Sequence, residues 1–372
     1  QLTQHTEYAL RILIYLSLKD NKTRSNISEI VDCFSLPKNH IIKIVHKLGK
    51  EGIIETSRGK GGGMWLKNHP DDIIIGDGVD NRFIGGDGVD TIDGQGGRDW
   101  VFYGAPDNTS GIDIDLGSGV VADDGYGNAE TAASIEVVFA TDVNDNILGG
   151  SASESLFGRF GDDFISGGAG SDFMDGGDGW DDISYASGYV SGTGVRINAS
   201  GYDGVDLWGT LVSANSAIDP DGGNDTIYNF EYFEGTAFND LFVTDLWGVN
   251  FSGGDGDDTL VVIGEQPVSF APGSGSDTFE GGSGSEDLVV YSSSDYVTAT
   301  GAAVNISESV IWDLGGGLIL NPGQAFDPDG GTDSLLNVDN VEGSDYGDVI
   351  IGGDGANWIS GLGGDDEIHA GG

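Results

Sequence analysis

The 372-residue chain holds one cysteine, Cys33, so it has no internal disulfide. Proline is scarce (8) against 66 glycines. That ratio excludes collagen and points to many turns that need positive φ. Positive charge almost vanishes after residue 70. Residues 1–70 carry 11 Lys+Arg against 6 Asp+Glu, and residues 71–372 carry 4 against 56. A net +5 segment therefore precedes a net −52 segment, and four of the five histidines lie in the first. No apolar run reaches the length of a membrane-spanning helix. The stretch 8–18 carries Arg11 and lacks a cleavage site, so it does not read as a signal peptide. The length exceeds one ordinary domain. The start at Gln1 and the stop at Gly371-Gly372, in mid-repeat, read as a fragment. A long acidic segment without cysteine fits an extracellular protein stabilised by metal.

What the acidic segment does have is a period of nine. Residues 158–184 read GRFGDDFIS GGAGSDFMD GGDGWDDIS. The sixth place is Asp163, Asp172 and Asp181, and the eighth is Ile165, Met174 and Ile183. This is neither a helical nor a plain strand period. It describes a turn followed by a very short strand, repeated as a coil. Further units give blocks at about 76–102, 140–184, 235–261, 272–289 and 343–369. Their sixth places hold Asn81, Asp90 and Asp99; then Asp145 and Glu154; then Asp240 and Asp258, with Val249 between; then Asp277 and Glu286; and finally Asp348, Asn357 and Asp366. Spacers separate the blocks. AIDPDGGNDTIYNFEYFEGT (217–236) and AFDPDGGTDSLLNVDNVEGS (325–344) are near copies, and 129–145 is a more distant relative. Each spacer opens after a tyrosine (Tyr103, Tyr185, Tyr291), so block plus spacer recurs as a solenoid grows.

The spacing carries a chemistry. Glycines at places one, two and four, such as Gly86, Gly88, Gly168, Gly170, Gly177, Gly179, Gly254 and Gly256, allow tight turns that aim carbonyls inward. The sixth-place carboxylate is the hard oxygen that calcium prefers. The eighth place fills a narrow interior. Two units make one coil, so units i and i+2 stack, and a calcium ion fits between stacked loops. Asp163 pairs with Asp181 and Asp348 with Asp366. Asp90 is expected to pair with acids two units away. Glu154, Asn81, Asn357 and Val249 mark weaker or empty positions. The alternative is a disordered Gly/Asp tract, which the in-phase eighth place disfavours while calcium is bound. Without calcium, self-repulsion favours disorder. DPDGG at 219–223 and 327–331 looks loosely like a calcium loop, although a tight acidic turn is the favoured reading. The six tryptophans of this segment (100, 180, 208, 247, 312, 358) need no ligand as turn-packing residues, although exposed ones can stack on carbohydrate.

The tract resembles the repeats-in-toxin (haemolysin-type) calcium-binding family across almost all of 76–372. That resemblance implies a right-handed parallel β-roll or β-helix, type I secretion, and folding outside the cell at millimolar calcium.

Residues 1–75 read differently. The stretch 6–18 has the apolar density of a buried helix. Asn26-Ile27-Ser28-Glu29 is a capping box opening a helix to about Phe34. Ser35-Leu36 turns the chain, and Pro37 starts a helix that runs to about Glu51. Its apolar stripe is Ile41, Ile44, Val45 and Leu48, and its polar stripe is Asn39, Lys43, His46 and Lys50. Strands at 53–57 and 64–67 flank the turn RGKGGG. The result is a small α+β winged helix–turn–helix, with DNA and a plain solvated face both open as uses of its basic side. LTQHTEYALRILIYL, ISEIVDCFSLPKNHIIKIVHKLGKEG and TSRGKGGGMWL resemble NsrR/IscR-type iron–sulfur transcriptional repressors over about residues 2–77. The resemblance implies promoter binding as a dimer through Asn39, His40, Lys43, Arg58 and Lys60. The family's cluster cysteines and dimerisation helix do not follow, so no iron–sulfur cluster is expected. Glu7 receives no ligand role, and Cys33 reads as a core thiol.

The two characters meet at IIIGD (73–77), which suits either partner, and no linker separates them. The junction reads as a recent, engineered or assembly-derived fusion. No nucleophile elbow, zinc histidine pair or phosphate-binding lysine loop is present, so no catalysis is expected. A hidden lyase or epimerase site is the low-ranked exception. The leading reading is a secreted, calcium-binding structural module. The alternatives are a cytoplasmic DNA-binding regulator with a calcium-responsive tail, and a surface adhesin or polysaccharide-acting β-helix.

Overall fold

The computed structural model describes residues 4–17, 24–50, 53–57, 62–66, 73–105, 108–207, 209–284, 286–291, 296, 300–315 and 317–371. Two compact units emerge, one of residues 1–75 with 88–92, the other of 76–87 with 93–372. Each is taken by itself.

In the first unit, helices α1 (Gln4–Ser17), α2 (Ile27–Phe34) and α3 (Lys38–Lys50) precede strands β1 (Ile54–Ser57) and β2 (Gly63–Leu66), which pair antiparallel. The capping box forms: Asn26 Oδ1 accepts from the Glu29 amide at 3.1 Å, and the Glu29 carboxylate accepts from the Asn26 amide at 3.4 Å. Ser35 ends α2 in the left-handed region at φ 51°. Ile12, Leu16, Ile30, Leu36, Ile41, Ile44, Val45, Leu48, Ile54 and Met64 form one core. Two expectations fail here. Helix α1 is amphipathic rather than buried all round, since Leu10 and Ile14 are exposed on the face opposite Ile12 and Leu16. Cys33 is exposed and not a core thiol. Helix α2 buries Ile30 and half-buries Val31 and Phe34, which turns Asp32 and Cys33 to solvent.

The second unit is mainly β, built from strands mostly three to five residues long that lie in two large sheets. Alternate nine-residue units feed opposite sheets. Asn146–Leu148, Phe164–Ser166 and Asp182–Ser184 run parallel in one, with Ile147, Ile165 and Ile183 in register. Ser155–Phe160 and Phe173–Asp178 run parallel in the other, with Leu156 opposite Met174. These five eighth-place side chains have no exposed surface. Phe242, Phe251, Leu260, Phe270 and Phe279 continue the same filling further along. Period nine builds a solenoid because burying one such side chain per short strand contributes about 1.5–3 kcal/mol, while each strand's backbone groups pair with the coils on either side.

The spacers join this architecture instead of interrupting it. Arg196–Ala199 pairs parallel with Leu241–Thr244 and antiparallel with Ser216–Ile218, which in turn pairs antiparallel with Asn224–Tyr228. Ala303–Asn305, Gln324–Phe326 and Thr332–Leu336 repeat the arrangement. Each spacer thus inserts one reversed strand into a parallel sheet, then resumes the coil. Ile227 and Phe233 stand opposite Met174 and Ile183, and Leu335 and Val341 stand opposite Phe279 and Val289.

Two registers differ from the strict period, since Asp258 to Asp277 and Val268 to Asp287 each span 19 residues. Glu286 is exposed, and Asp287 takes the sixth place with Val289 buried behind it. The unit at 281–290 has one extra residue, and the inward side chain fixes the frame rather than the residue count.

Candidate metal centres

The sixth-place acids form seams along the coil. Within a block they lend Oδ1 to the backbone N–H of the sixth-place residue one coil earlier. Asp99 accepts from Asn81 at 2.7 Å, Asp163 from Asp145 at 2.8 Å and Asp181 from Asp163 at 2.9 Å. Asp172 accepts from Glu154 at 2.8 Å, Asp258 from Asp240 at 2.7 Å and Asp277 from Asp258 at 2.7 Å. Asp366 accepts from Asp348 at 3.0 Å but is itself exposed at the last described coil. The stacking of units i and i+2 is therefore visible as a ladder of charge-assisted bonds.

The second carboxylate oxygen divides the acids into two groups. At Asp145, Asp240 and Asp348 a hydroxyl residue stands at place two. Thr141, Thr236 and Ser344 each donate both backbone N–H and side-chain O–H to the acid, at 2.6–2.9 Å. These three acids also take an amide from Ile112, Val195 and Ala302. They are saturated, and they close the first turn of a block. At Asp99, Asp163, Asp172, Asp181, Asp258 and Asp277, Oδ2 is buried with no hydrogen-bond donor, as is Glu154 Oε2. The three saturated acids thus fit a cation poorly, whereas the sequence reading placed a ligand at each of them.

The space around the orphaned oxygens is held open by glycine. A Cβ on Gly158 would strike Asp163 Oδ2 and the Gly176 carbonyl oxygen, and one on Gly253 would strike Asp258 Oδ2 and the Pro272 carbonyl oxygen. Gly168, Gly170, Gly177, Gly179 and Gly254 have their Cα facing the carbonyl oxygens of Gly150, Ala152, Arg159, Gly161 and Thr236 on the neighbouring coil, and Gly256 lies against the Phe238 carbonyl group. Gly170 and Gly256 also take φ of +146° and +122°, conformations that only glycine adopts without strain. Gly86 faces open space and Gly88 has φ +151°, while Asp90 is buried. Beside the Met174 thioether that neighbours Asp172 Oδ2 at Gly167, the seams present buried carboxylate and carbonyl oxygens. That set fits a hard cation such as calcium, which takes roughly 6–8 oxygen ligands.

Electrostatics point the same way. Burial, reinforced by the neighbouring Asp240 charge, pushes the Asp258 carboxyl up to about 9. Burial raises Asp163 to about 7 and Asp181 to about 6, with the charges of nearby acids adding to the effect. The saturated Asp240 reaches only about 6, because its hydrogen bonds offset burial. Burial likewise raises Asp172 and Glu154. Stacked buried carboxylates need protons or a cation between them.

Several acids of the seams were not picked out from the sequence. Asp225 and Asp333 accept from the Asp172 and Asp277 amides at 2.9 and 3.0 Å. Glu136 and Glu231 do the same for Asp99 and Asp181, at 2.8 and 2.9 Å. Their signal was a buried apolar residue two places later (Val138, Ile227, Phe233, Leu335), hidden because the spacers break the glycine pattern. At the weak positions, Asn81 Oδ1 caps the Asp77 amide and Asn357 Nδ2 donates to the Asp339 carbonyl. Val249 is simply buried.

On α3 of the first unit, Asn39, Lys43, His46 and Lys50 are exposed, whereas His40 is half-buried with its ring 6.1 Å from that of Tyr8. Arg58 and Lys60 lie outside the described residues, as does Trp208. Trp180, Trp247 and Trp358 are exposed. Among the described residues no helix is long and apolar enough to cross a membrane.

Comparison with known proteins follows this division. Residues 2–80 match the Rrf2 family of iron-dependent transcriptional regulators. Residues 71–109, 148–183, 273–296 and 342–372 match the RTX calcium-binding nonapeptide repeat. Among curated proteins, the HTH-type transcriptional regulators NsrR of Geobacillus kaustophilus and Bacillus subtilis are similar. The first is 49% identical over 76 residues, 20% of this chain and 52% of the relative. The second is 44% identical over 77 residues, 21% and 53%. The chain thus spans about half the length of the curated relatives it matches.

Proposed function

We propose that the β-solenoid binds several calcium ions and folds on binding them, as a non-enzymatic structural module of a secreted protein. One observation carries this: the buried, donor-less Oδ2 atoms of Asp99, Asp163, Asp172, Asp181, Asp258 and Asp277, which glycine-lined turns face with carbonyl oxygens. Those acids, with Glu154, would hold the ions. Bound calcium supplies the positive charge that a segment with 56 acidic residues lacks. Its binding free energy then becomes folding free energy. The RTX match supports the extracellular setting, where calcium is millimolar, and export by a type I secretion system. Circular dichroism of the chain in chelator and in millimolar calcium tests the reading. A gain of β signal is expected, and an unchanged spectrum refutes it.

A second reading concerns the first unit, for which we propose DNA binding. The exposed Asn39 and Lys43 on α3, beside a two-stranded wing, and the Rrf2 match support it. This activity belongs to a cytoplasmic setting. A salt-dependent gel shift with promoter DNA tests it, and no binding at low salt counts against it.

A further inference from the structure

The DPDGG turns contain a buried acid with no place in the nine-residue scheme. Asp327 precedes the unit that ends in Asp333 and is 3% exposed. Its Oδ1 accepts from the Gly330 and Gly331 amides at 2.7 and 3.0 Å. Its Oδ2 has no donor, nor does Asp277 Oδ2, and both are fully buried. One carboxylate oxygen from each of Asp277, Asp327 and Asp333 lies within 4.8 Å of the other two. Asp327 Oδ2 and the Gly275 carbonyl oxygen both converge on the Gly331 Cα, where any Cβ would collide with them. Tyr291 donates its phenol to Asp333 at 2.8 Å. Tyr296 stacks on Tyr291 at 6.4 Å, and burial, reinforced by the charges of all three carboxylates, pushes its phenol pKa up.

The spacer at 217–236 builds a related arrangement from different residues. Asp219 is 2% exposed and its Oδ1 accepts from the Gly223 amide at 2.9 Å. Asp172 donates its amide to Asp225, and Tyr185 gives its phenol to Asp225 at 3.0 Å. Tyr189 stacks on Tyr185 at 6.0 Å. Asp219 Oδ2 and the Gly170 carbonyl oxygen converge on Gly223, but Asp219 Oδ2 also takes a bond from the Gly170 amide at 3.3 Å. Among the described residues only Asp277, Asp327 and Asp333 gather three carboxylates within 4.8 Å.

We propose that the spacer at 325–344 completes a second kind of cation site, in which Asp327 adds a third carboxylate to Asp277 and Asp333. The donors are all hard oxygens: three carboxylates and a glycine carbonyl, with the paired tyrosines walling the site. That set takes calcium, or a lanthanide as its probe. The site pins the spacer to the coil at the point where the reversed strand ends. This inference rests on the proposed calcium binding of the solenoid.

The test is calcium stoichiometry of the full chain by titration against a chromophoric chelator. Asp327→Asn is expected to lose one ion, and Asp219→Asn, at the partnered acid of the other spacer, none. Asp163→Asn, in the repeat seam, is expected to leave the Asp327 site filled. Terbium provides a second readout. Emission excited through tyrosine is expected to fall in Tyr296→Phe, which keeps every carboxylate. A wild-type chain that binds no calcium would refute the solenoid reading itself. A wild-type chain that binds calcium, with unchanged stoichiometry in Asp327→Asn and unchanged terbium emission in Tyr296→Phe, would overturn this inference alone.

Discussion

Replacing Asp258 by asparagine is expected to act in opposite directions with and without calcium. The carboxyl is 1% exposed and Oδ1 accepts from the Asp240 amide, while Oδ2 lies buried near Gly253 and the Pro272 carbonyl oxygen. An asparagine keeps the acceptor and turns an amide N–H toward that carbonyl. In the calcium-free fold the carboxyl holds its proton up to about 9, against an ordinary 3.8. The folded chain then binds a proton that the unfolded chain releases. Stability therefore falls as pH rises from about 4 toward 9, and at pH 7 the cost is about 4 kcal/mol as an upper bound. Asp258→Asn removes that cost. In calcium the same change deletes a charged ligand, and losing one ion held at a hundredfold over its Kd forfeits about 2.7 kcal/mol. Urea unfolding by circular dichroism at pH 5 and pH 8, in chelator and in calcium, reads both effects. The variant's midpoint should rise above wild type in chelator at pH 8, match it more nearly at pH 5, and fall below it in calcium. If calcium-free wild type is unfolded at pH 8, acidification to pH 5 should restore part of its β signal, and the variant should need less acid. A variant weakened equally in all four conditions would refute the reasoning.

Gly256→Ala places a Cβ against the Phe238 carbonyl group at φ +122°, so a loss of at least about 2 kcal/mol is expected from strain and clash; urea unfolding in saturating calcium checks it, and a change below about 0.5 kcal/mol would contradict it. Leu156→Ala empties a fully buried interior position and should cost about 2–5 kcal/mol, with the calcium midpoint for folding shifted upward in the same titration. Asn26→Ala removes the α2 capping box and should lower the first unit's stability by about 1 kcal/mol, read from its helical signal on heating. Lys43→Ala should weaken binding across DNA sequences and reduce the salt slope by about 1, and an unchanged slope would remove Lys43 from the interface.

The solenoid was legible wherever one short unit carried the whole pattern. Asp163 and Ile165 fix a frame that Asp181 and Ile183 repeat, and the coil follows from burial alone. The helix–turn–helix was legible for a similar reason, since Asn26, Ser35 and Pro37 are local punctuation. What was hidden depends on partners far along the chain. Asp225 meets Asp172 across 53 residues, and Asp333 meets Asp277 across 56. The reversed strands at 216–218 and 324–326 intervene without any period of their own. Asp287 outcompetes Glu286 because Val289 must point inward, a choice that counting by nine does not make. Nor does a motif distinguish Asp145 from Asp163. Thr141 at place two does, by filling an oxygen that Arg159 at the same place leaves bare.

The ladder of sixth-place bonds has a direction. Within a block an acid reaches back to the amide of the coil before it, so a coil's own amide waits for the coil after it. The strand bonds run the other way, since the Phe164 and Asp182 amides reach back to the Asp145 and Asp163 carbonyls. A growing tip therefore offers the next coil both a donor and an acceptor. A chain emerging amino end first would always expose a tip that only further chain can satisfy. A chain emerging carboxyl end first would bring each coil to an acid already in place.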